Sequence, residues 1–456
     1  MLMLLRILSL LVLAVTFVSA GSYDCVSFVK EALAKDPIVT ESRYSTTLKK
    51  SQLDALKAEV ILPTFSFSMM VGPAPGLKEY VDGTGDTIEA WNFAKMGPFW
   101  GTQIKAIQPL NLGQYNVGKK AIQADIRQHE LGLLQGEHKK EVEFQSYYYN
   151  YLLALEMNRL AKEAKKQIDE AYDKLEEALD NDDPNVSQMD FLKLKANMYV
   201  VQEAVSDADR GLKQVLLAIR FSLNLNERDS FSSTDTILTV RTEPLLSLEE
   251  IKTMTLNSHP ELKQLQAGLQ AKSYQMDLAG SKLAPEFFIM VEFEYVKSWA
   301  GDRQVIQKNA FAQDAVNKLG GTFGIGLRYR LNFWKGMESF KKAHIEYNSL
   351  RLKDRYALDG LLLKVEEQYY KLESLRDKLE SIKTSLRATE AILKGAAIQY
   401  DLDPSNAEKL LSAYTQNINL KKNYYFAICS YNIEFAELIY RMGLSLEDFH
   451  TTYMLK

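Results

Sequence analysis

The 456-residue sequence predicts a mostly α-helical, internally duplicated chain in which each half carries a pair of alternating strands and a long coiled-coil hairpin. Three observations lead there. Four sequence landmarks recur in the same order at a nearly constant offset, the helical stretches space their apolar residues by three and four, and two segments of each half alternate apolar with polar residues. Composition permits such a chain: at 46% hydrophobic and 25% charged it is neither disordered nor collagen-like, and 11 prolines and 23 glycines leave room for very long helices. The formal net charge of −4 gives no electrostatic footprint for nucleic acid, so no nucleic-acid partner is expected. Two cysteines, Cys25 and Cys429, cannot make a disulfide framework, and nothing in the sequence places them together.

Met1 to Ala20 has the pattern of a secretory signal peptide, with Arg6, an apolar run from Ile7 to Val18 and the small-residue end Val18-Ser19-Ala20. Cleavage is expected after Ala20. The alternative is an uncleaved anchor, for which the run is short against the roughly 20 residues of a spanning helix. Tyr23-Asp24 precede Cys25 where lipid-modified cysteines follow small apolar residues, which argues against lipidation. Beyond residue 20 no unbroken apolar stretch has spanning length, so the exported chain is either soluble or a membrane β-barrel with a period-2 pattern.

The duplication is read from Lys35-Asp36-Pro37 with Ser258-His259-Pro260, Leu62-Pro63 with Ala284-Pro285, Tyr148-Tyr149 with Tyr369-Tyr370, and Asp183-Pro184 with Asp403-Pro404. It divides the chain into a first repeat at 21–225, a connector at 226–247 rich in Ser, Thr and Asp, a second repeat at 248–446 and a tail at 447–456. Each repeat orders its signals alike: a helix, two strands around a polar loop, a very long helix, a turn and another long helix.

In the first repeat, Phe65, Phe67, Met69 and Val71 share one strand face opposite Thr64, Ser66 and Ser68, while Trp100, Ile104 and Ala106 oppose Gln103 and Lys105. In the second, Phe287, Ile289, Val291, Phe293 and Tyr295 alternate with Glu292 and Glu294, and Phe323, Ile325, Leu327, Tyr329 and Leu331 with Thr322, Gly324, Gly326, Arg328 and Arg330. Charges confined to one face make that face wet. The intervening segments, Gly72 to Pro98 and Ser298 to Gly320, read as long polar loops. A soluble sandwich with one buried face would alternate in the same way, but the helices weigh against it. Phe191, Leu194, Met198, Val201, Val205, Ala208, Leu212, Val215 and Ile219 form a seam of period 3.5, and so do Leu372, Leu375, Leu379, Ile382, Leu386 and Leu393 with Thr389 as the polar interruption. A looser seam runs through Leu411, Tyr414, Ile418, Tyr425, Ile428, Phe435 and Ile439. Helices from about Leu112 to Leu179 and from about Phe333 to Tyr400 would each be on the order of 100 Å long.

Two copies of strand pair plus coiled-coil hairpin behind a signal peptide, with Leu62-Pro63 and Ala284-Pro285 entering strands and Pro109-Leu110-Asn111-Leu112-Gly113 leaving one, resemble the TolC family of outer-membrane efflux channels. The segment Asn185-Val186-Ser187 followed by Asp190-Phe191-Leu192 is similar to the family's post-tip segment. The resemblance implies a homotrimer in which each subunit gives four strands to a shared twelve-stranded membrane β-barrel and continues as a trimeric α-helical barrel in the periplasm. It implies an exit duct of a tripartite efflux or type I secretion system, working with a periplasmic adaptor and an inner-membrane pump and seated in outer-membrane lipid. The strands agree, because four of them cannot close a barrel and partner chains must remove the edges. The family's inward-facing tip aspartates align near Lys409 and Ser412, a departure. An aperture ring then falls to the neighbouring Asp182, Asp183, Asp190, Asp401, Asp403 and Glu408, for which a solvated turn is the other reading. Adaptor contacts are expected at Pro184, Asn185, Val186, Ser187, Pro404 and Ser405, and Glu292, Glu294, Arg328 and Arg330 are expected to face the barrel lumen.

No enzyme is expected, and no cofactor or metal. The histidines His129, His138, His259, His344 and His450 are scattered without metal-ligand spacing, and His259 beside Pro260 reads as structural. Gly320-Gly321-Thr322-Phe323-Gly324-Ile325-Gly326 runs into an alternating strand rather than a helix, which disfavours phosphate cradling. Tyr147-Tyr148-Tyr149-Asn150-Tyr151 sits on a long helix and reads as packing between helices rather than a binding platform. The competing functional reading is a secreted soluble coiled-coil structural protein. A periplasmic hydrolase would need a catalytic constellation that the sequence does not offer.

Overall fold

The computed structural model describes residues 21–81, 87–181, 187–226, 229–300, 317–329, 331–402 and 406–454. Met1–Ala20, the expected signal peptide, lies outside them, as do Asp182, Asp183, Pro184, Asn185, Val186, Arg330, Asp403, Pro404 and Ser405. The elements are β1 (Gly21–Tyr23), α1 (Cys25–Lys35), α2 (Pro37–Ile61), β2 (Thr64–Val81), β3 (Thr87–Pro109), α3 (Leu112–Asp180), α4 (Gln188–Leu223), β4 (Phe231–Ser233), α5 (Leu248–Ser258), α6 (Pro260–Ser281), β5 (Glu286–Ser298), β6 (Lys318–Arg328), α7 (Phe333–Leu402), α8 (Ala407–Arg441) and α9 (Leu446–Met454). The order helix, helix, strand, strand, long helix, helix thus occurs twice.

The single helix expected ahead of each strand pair is broken in two. Pro37 and Pro260 supply no N–H and push the preceding residue out of the helical region, leaving Asp36 at φ −66°, ψ 123° and His259 at φ −60°, ψ 121°. Each of these residues closes one helix and opens the next. Asp36 Oδ1 accepts from the Ile38 and Val39 N–H groups at 2.8 and 2.9 Å, and His259 Nδ1 accepts from Glu261 N–H at 3.2 Å. The repeats also end alike, on left-handed residues after α4 and α8: Asn224 at φ 51° and Gly443 at φ 77°. At the second site glycine is required, because a Cβ would lie 2.4 Å from the Cα of His259.

At 69 and 70 residues, α3 and α7 match the expected rods within two residues at each end. Of the buried positions along the later part of α7, Leu372, Leu379 and Thr389 lie on the predicted seam, and Ala396 and Tyr400 lie beyond its last predicted member, Leu393. Its polar member is satisfied: buried Asn417 of α8 donates to Thr389 Oγ1 at 3.3 Å. On the other hairpin Phe191, Met198 and Val201 of α4 pack against Ile168 and Leu175 of α3.

The described chain forms two compact units, each drawing on both repeats. One comprises 21–44, 130–263 and 355–454. Its core gathers Phe28, Phe144, Tyr148, Phe231, Phe435 and Phe449. The tyrosine run packs here, with Tyr148 fully buried against Phe28 and donating its hydroxyl to Asp235 at 2.6 Å. The connector is tied into the same core. β4 pairs in parallel with β1, and Arg241 forms a buried ion pair with Glu243 at 2.8 Å while its guanidinium stacks 5.0 Å from the Phe435 ring.

The second unit comprises 45–129 and 264–354 and contains the antiparallel sheet β2-β3-β5-β6, in which the two repeats join through β3 and β5. Lys49 pairs with Asp125 across α2 and α3, and Lys272 with Glu346 across α6 and α7, at 2.9 and 2.6 Å. The segment expected to be a loop from Gly72 to Pro98 is largely strand. β2 runs on to Val81 and β3 starts at Thr87, with the register shift at Pro75/Gly76 accommodating the prolines. β6 likewise begins at Lys318, inside the second expected loop. Among the described residues no helix is long and apolar enough to cross a membrane.

Candidate functional site

The sheet register sorts its residues by face. Phe65 and Ala106, Phe67 and Ile104, Ile104 and Phe293, Val291 and Phe323, and Phe287 and Leu327 are opposed pairs, so one face is apolar apart from Thr102 and Gln108. That face is uncovered: Phe65 is 73% exposed, Phe323 74% and Ile325 73%. Trp100 and Tyr295 meet edge to face on it, with ring centres 6.3 Å apart.

The opposite face carries Ser66, Ser68, Gln103, Lys105, Glu292, Glu294 and Thr322. Glu292 accepts from Gln103 Nε2 at 2.6 Å and lies 3.5 Å from Lys105 Nζ, and Lys318 binds Glu294 at 2.7 Å. The structure therefore brings Glu292, Glu294 and Arg328 to one face of the sheet. Lys318 joins them there; in the sequence it had lain within an apparent loop. Two of the carboxylates are matched by amines, so this wall is polar without a strong charge of one sign.

A second cluster lies where the helical hairpins turn. Asp401 of α7 sits 3.7 Å from Lys174 of α3, and Glu408 of α8 3.0 Å from Lys193 of α4, all four side chains being largely exposed. Each acidic residue thus faces a lysine from the other hairpin. In sequence those lysines look like ordinary solvated residues, and nothing local marks them as partners. Ser187 precedes α4 and its carbonyl accepts from Phe191 N–H at 3.4 Å, and Asp190 lies in the first turn of α4. Between the two hairpins a cavity of about 990 Å³ is lined by residues including Met157, Leu160, Val201, Leu411 and Tyr414.

The remaining titratable groups of note lie in the core of the first unit. Burial pushes His259 down to about 4, helped by the positive charges of Arg441 and His138, and lowers His138 as well. Burial raises Glu141 to about 7, with Asp448, Glu137 and Glu447 adding to it against the Leu446 N–H, which donates to Glu141 at 2.9 Å. Cys25 and Cys429 are free, and burial lifts both thiols to about 12, which leaves them unreactive.

Residues 253–402, from α5 to the end of α7, match the family model described as outer membrane efflux protein. No curated protein sequence matches the chain significantly. Among solved structures, the Campylobacter jejuni CmeC outer membrane channel aligns with a TM-score of 0.73 at 15% identity, covering 92% of this chain and 85% of that one. The outer membrane protein VceC of Vibrio cholerae aligns at 0.70 and 13% identity over 92% and 96% of the two chains, and the open Neisseria gonorrhoeae MtrE outer membrane channel at 0.69 and 14% over 92% and 88%. The chain therefore has the fold of the outer-membrane channels with which it aligns, and its residues 253–402 resemble the outer membrane efflux protein family.

Proposed function

We propose that this chain is the outer-membrane exit duct of an efflux or type I secretion system. Three copies close one twelve-stranded barrel, continue as a helical tunnel in the periplasm, and pass small molecules or polypeptides outward. An inner-membrane pump, reached through a periplasmic adaptor, supplies the energy. One observation carries this reading: a four-stranded sheet whose apolar face is uncovered, whose other face is polar, and whose outer strands β2 and β6 have no further partner within the described chain. In water such a sheet would expose a broad apolar surface and two pairing edges. Lipid covers the face, and neighbouring copies related by cyclic symmetry pair the edges.

In this arrangement the hairpin turns form the periplasmic mouth. Asp182, Asp183, Asp190, Asp401, Asp403 and Glu408 repeat three times around the axis, and Pro184, Asn185, Val186, Ser187, Pro404 and Ser405 meet the adaptor. Lys174 and Lys193 temper the ring by neutralising two of its carboxylates per subunit. Fractionation tests the whole reading: the mature protein should sediment with outer membranes, need detergent for extraction and run as a heat-dissociable trimer. A freely soluble monomer in the periplasmic fraction would refute it and favour the soluble coiled-coil alternative.

A further inference from the structure

The polar face of the sheet is not polar throughout. Where the strands meet α3 and α6 it carries Ile107, Met290 and Phe288, with Ile107 opposite Met290, Met290 opposite Gly324, and Phe288 opposite Gly326. The glycines shape this patch. A Cβ at Gly326 would come within 2.3 Å of Phe288 Cζ, so the tip of the ring occupies the place of the missing side chain over β6, while a Cβ at Gly324 would meet nothing within 4 Å and the space above it is open. Arg328 closes one end, its guanidinium 5.1 Å from the centre of the Phe288 ring. Lys105 and Lys318 on the same face are paired with carboxylates, whereas Arg328, which stands opposite Glu286 in the register, makes no ion pair with it or with any other acidic group among the described residues.

From this juxtaposition we infer that the sheet carries a seat for organic anions with a flat apolar body, the body lying on Ile107, Met290 and Phe288 over Gly324 and the anionic group bound by Arg328. The chemistry suits both halves of such a ligand. A planar guanidinium presents two parallel N–H donors to a carboxylate or sulfonate, and stacking on Phe288 holds the fork in place at small entropic cost. Apolar side chains on a wet wall gain by being covered, and an amphipathic anion covers them. The inference rests on the reading of this face as the lining of a lumen, in which case each channel holds three seats.

Equilibrium dialysis of 2-naphthalenesulfonate against the intact detergent-solubilised protein tests the seat without requiring conduction. Binding should be at least tenfold tighter than for 1-propanesulfonate, and Arg328→Gln and Gly324→Phe should each weaken it at least tenfold, one by removing the charge and the other by filling the open space. A heat-dissociable oligomer reports assembly of each variant, and if Arg328→Gln does not assemble, Gly324→Phe decides. Absence of binding, or equal affinity in the wild type and the assembled variants, would overturn the seat. Planar-bilayer recordings separate the two ideas. Arg328-dependent binding by a protein that forms no pore sinks the duct and keeps the seat, whereas a conducting pore whose binding ignores both substitutions sinks the seat alone.

Discussion

Glu141→Gln should stabilise the protein in alkali and do little in acid. The carboxyl of Glu141 lies in the core of the first unit beside Asp448, Glu137 and Glu447, and it titrates near 7 instead of the ordinary 4.5. A carboxyl with a raised folded-state value binds its proton more tightly in the folded than in the unfolded chain. Its contribution is therefore fully present below pH 4.5 and is lost as pH rises through 7. At about 1.4 kcal/mol per pH unit, the gap between 4.5 and about 7 amounts to about 3 kcal/mol, present as a cost at pH 8. Glutamine keeps a carbonyl oxygen to accept the Leu446 N–H but has no charge to bury, so the variant avoids that cost. His259 acts in the opposite sense: with its value lowered from 6.5 to about 4, it contributes stability above pH 6.5 that is lost as pH falls toward 4. The two slopes oppose one another between pH 4.5 and 6.5, so the wild-type profile is flattened and the difference between variant and wild type isolates Glu141. Guanidinium unfolding followed by the helical signal, at fixed protein concentration and at pH 5, 6.5 and 8, measures this difference. The variant should gain about 3 kcal/mol at pH 8 and less than about 1 kcal/mol at pH 5, where the unfolded carboxyl has begun to ionise. An equal difference at pH 5 and pH 8 would refute the assignment of a raised Glu141.

Three further outcomes follow from the two faces, the seam and the turns. Ile289→Arg places a charge on the apolar face and should cost about 2–4 kcal/mol near the membrane midplane, whereas Glu292→Arg stays on the polar face. Equal yields of assembled trimer from the two would show the faces wrongly assigned. Val205→Asp puts a carboxylate into the α4 seam and should increase protease sensitivity of the hairpin. Asp207→Ala removes only an exposed i,i+3 pair with Arg210 and should not, so matching digestion rates would count against the seam. Neutralising Asp401, Asp403 and Glu408 together removes the carboxylates that face Lys174 and Lys193, and should lower cation preference in single-channel recordings at low salt with the effect fading as salt rises. Unchanged selectivity would leave these carboxylates as ordinary turn residues.

The sequence by itself determined what depends on short-range periodicity and backbone chemistry. The 3.5-residue seam through Leu372, Leu379 and Thr389 and the period-2 faces of β5 and β6 repeat within a turn or a residue pair, so they were visible before any fold was known. So were the approximate ends of α3 and α7, expected at Leu112 and Leu179 and at Phe333 and Tyr400. The helix break at Asp36-Pro37 and His259-Pro260 was on view too, as a repeated landmark, although its meaning was clear only once both residues appeared as shared caps. Tertiary structure decided everything set by a distant partner. Gly72 to Pro98 has the composition of a loop and becomes strand because β2 and β3 pair along it, a gain that local propensity does not contain. The lysines facing Asp401 and Glu408 come from the other repeat, more than 200 residues away in sequence. The burial that raises Glu141 and lowers His259 is set by packing of α3, α6, α8 and α9 together. The apolar patch of Ile107, Met290 and Phe288 within a polar face required the register of β3, β5 and β6, since in each strand alone these side chains look like isolated exceptions to the alternation.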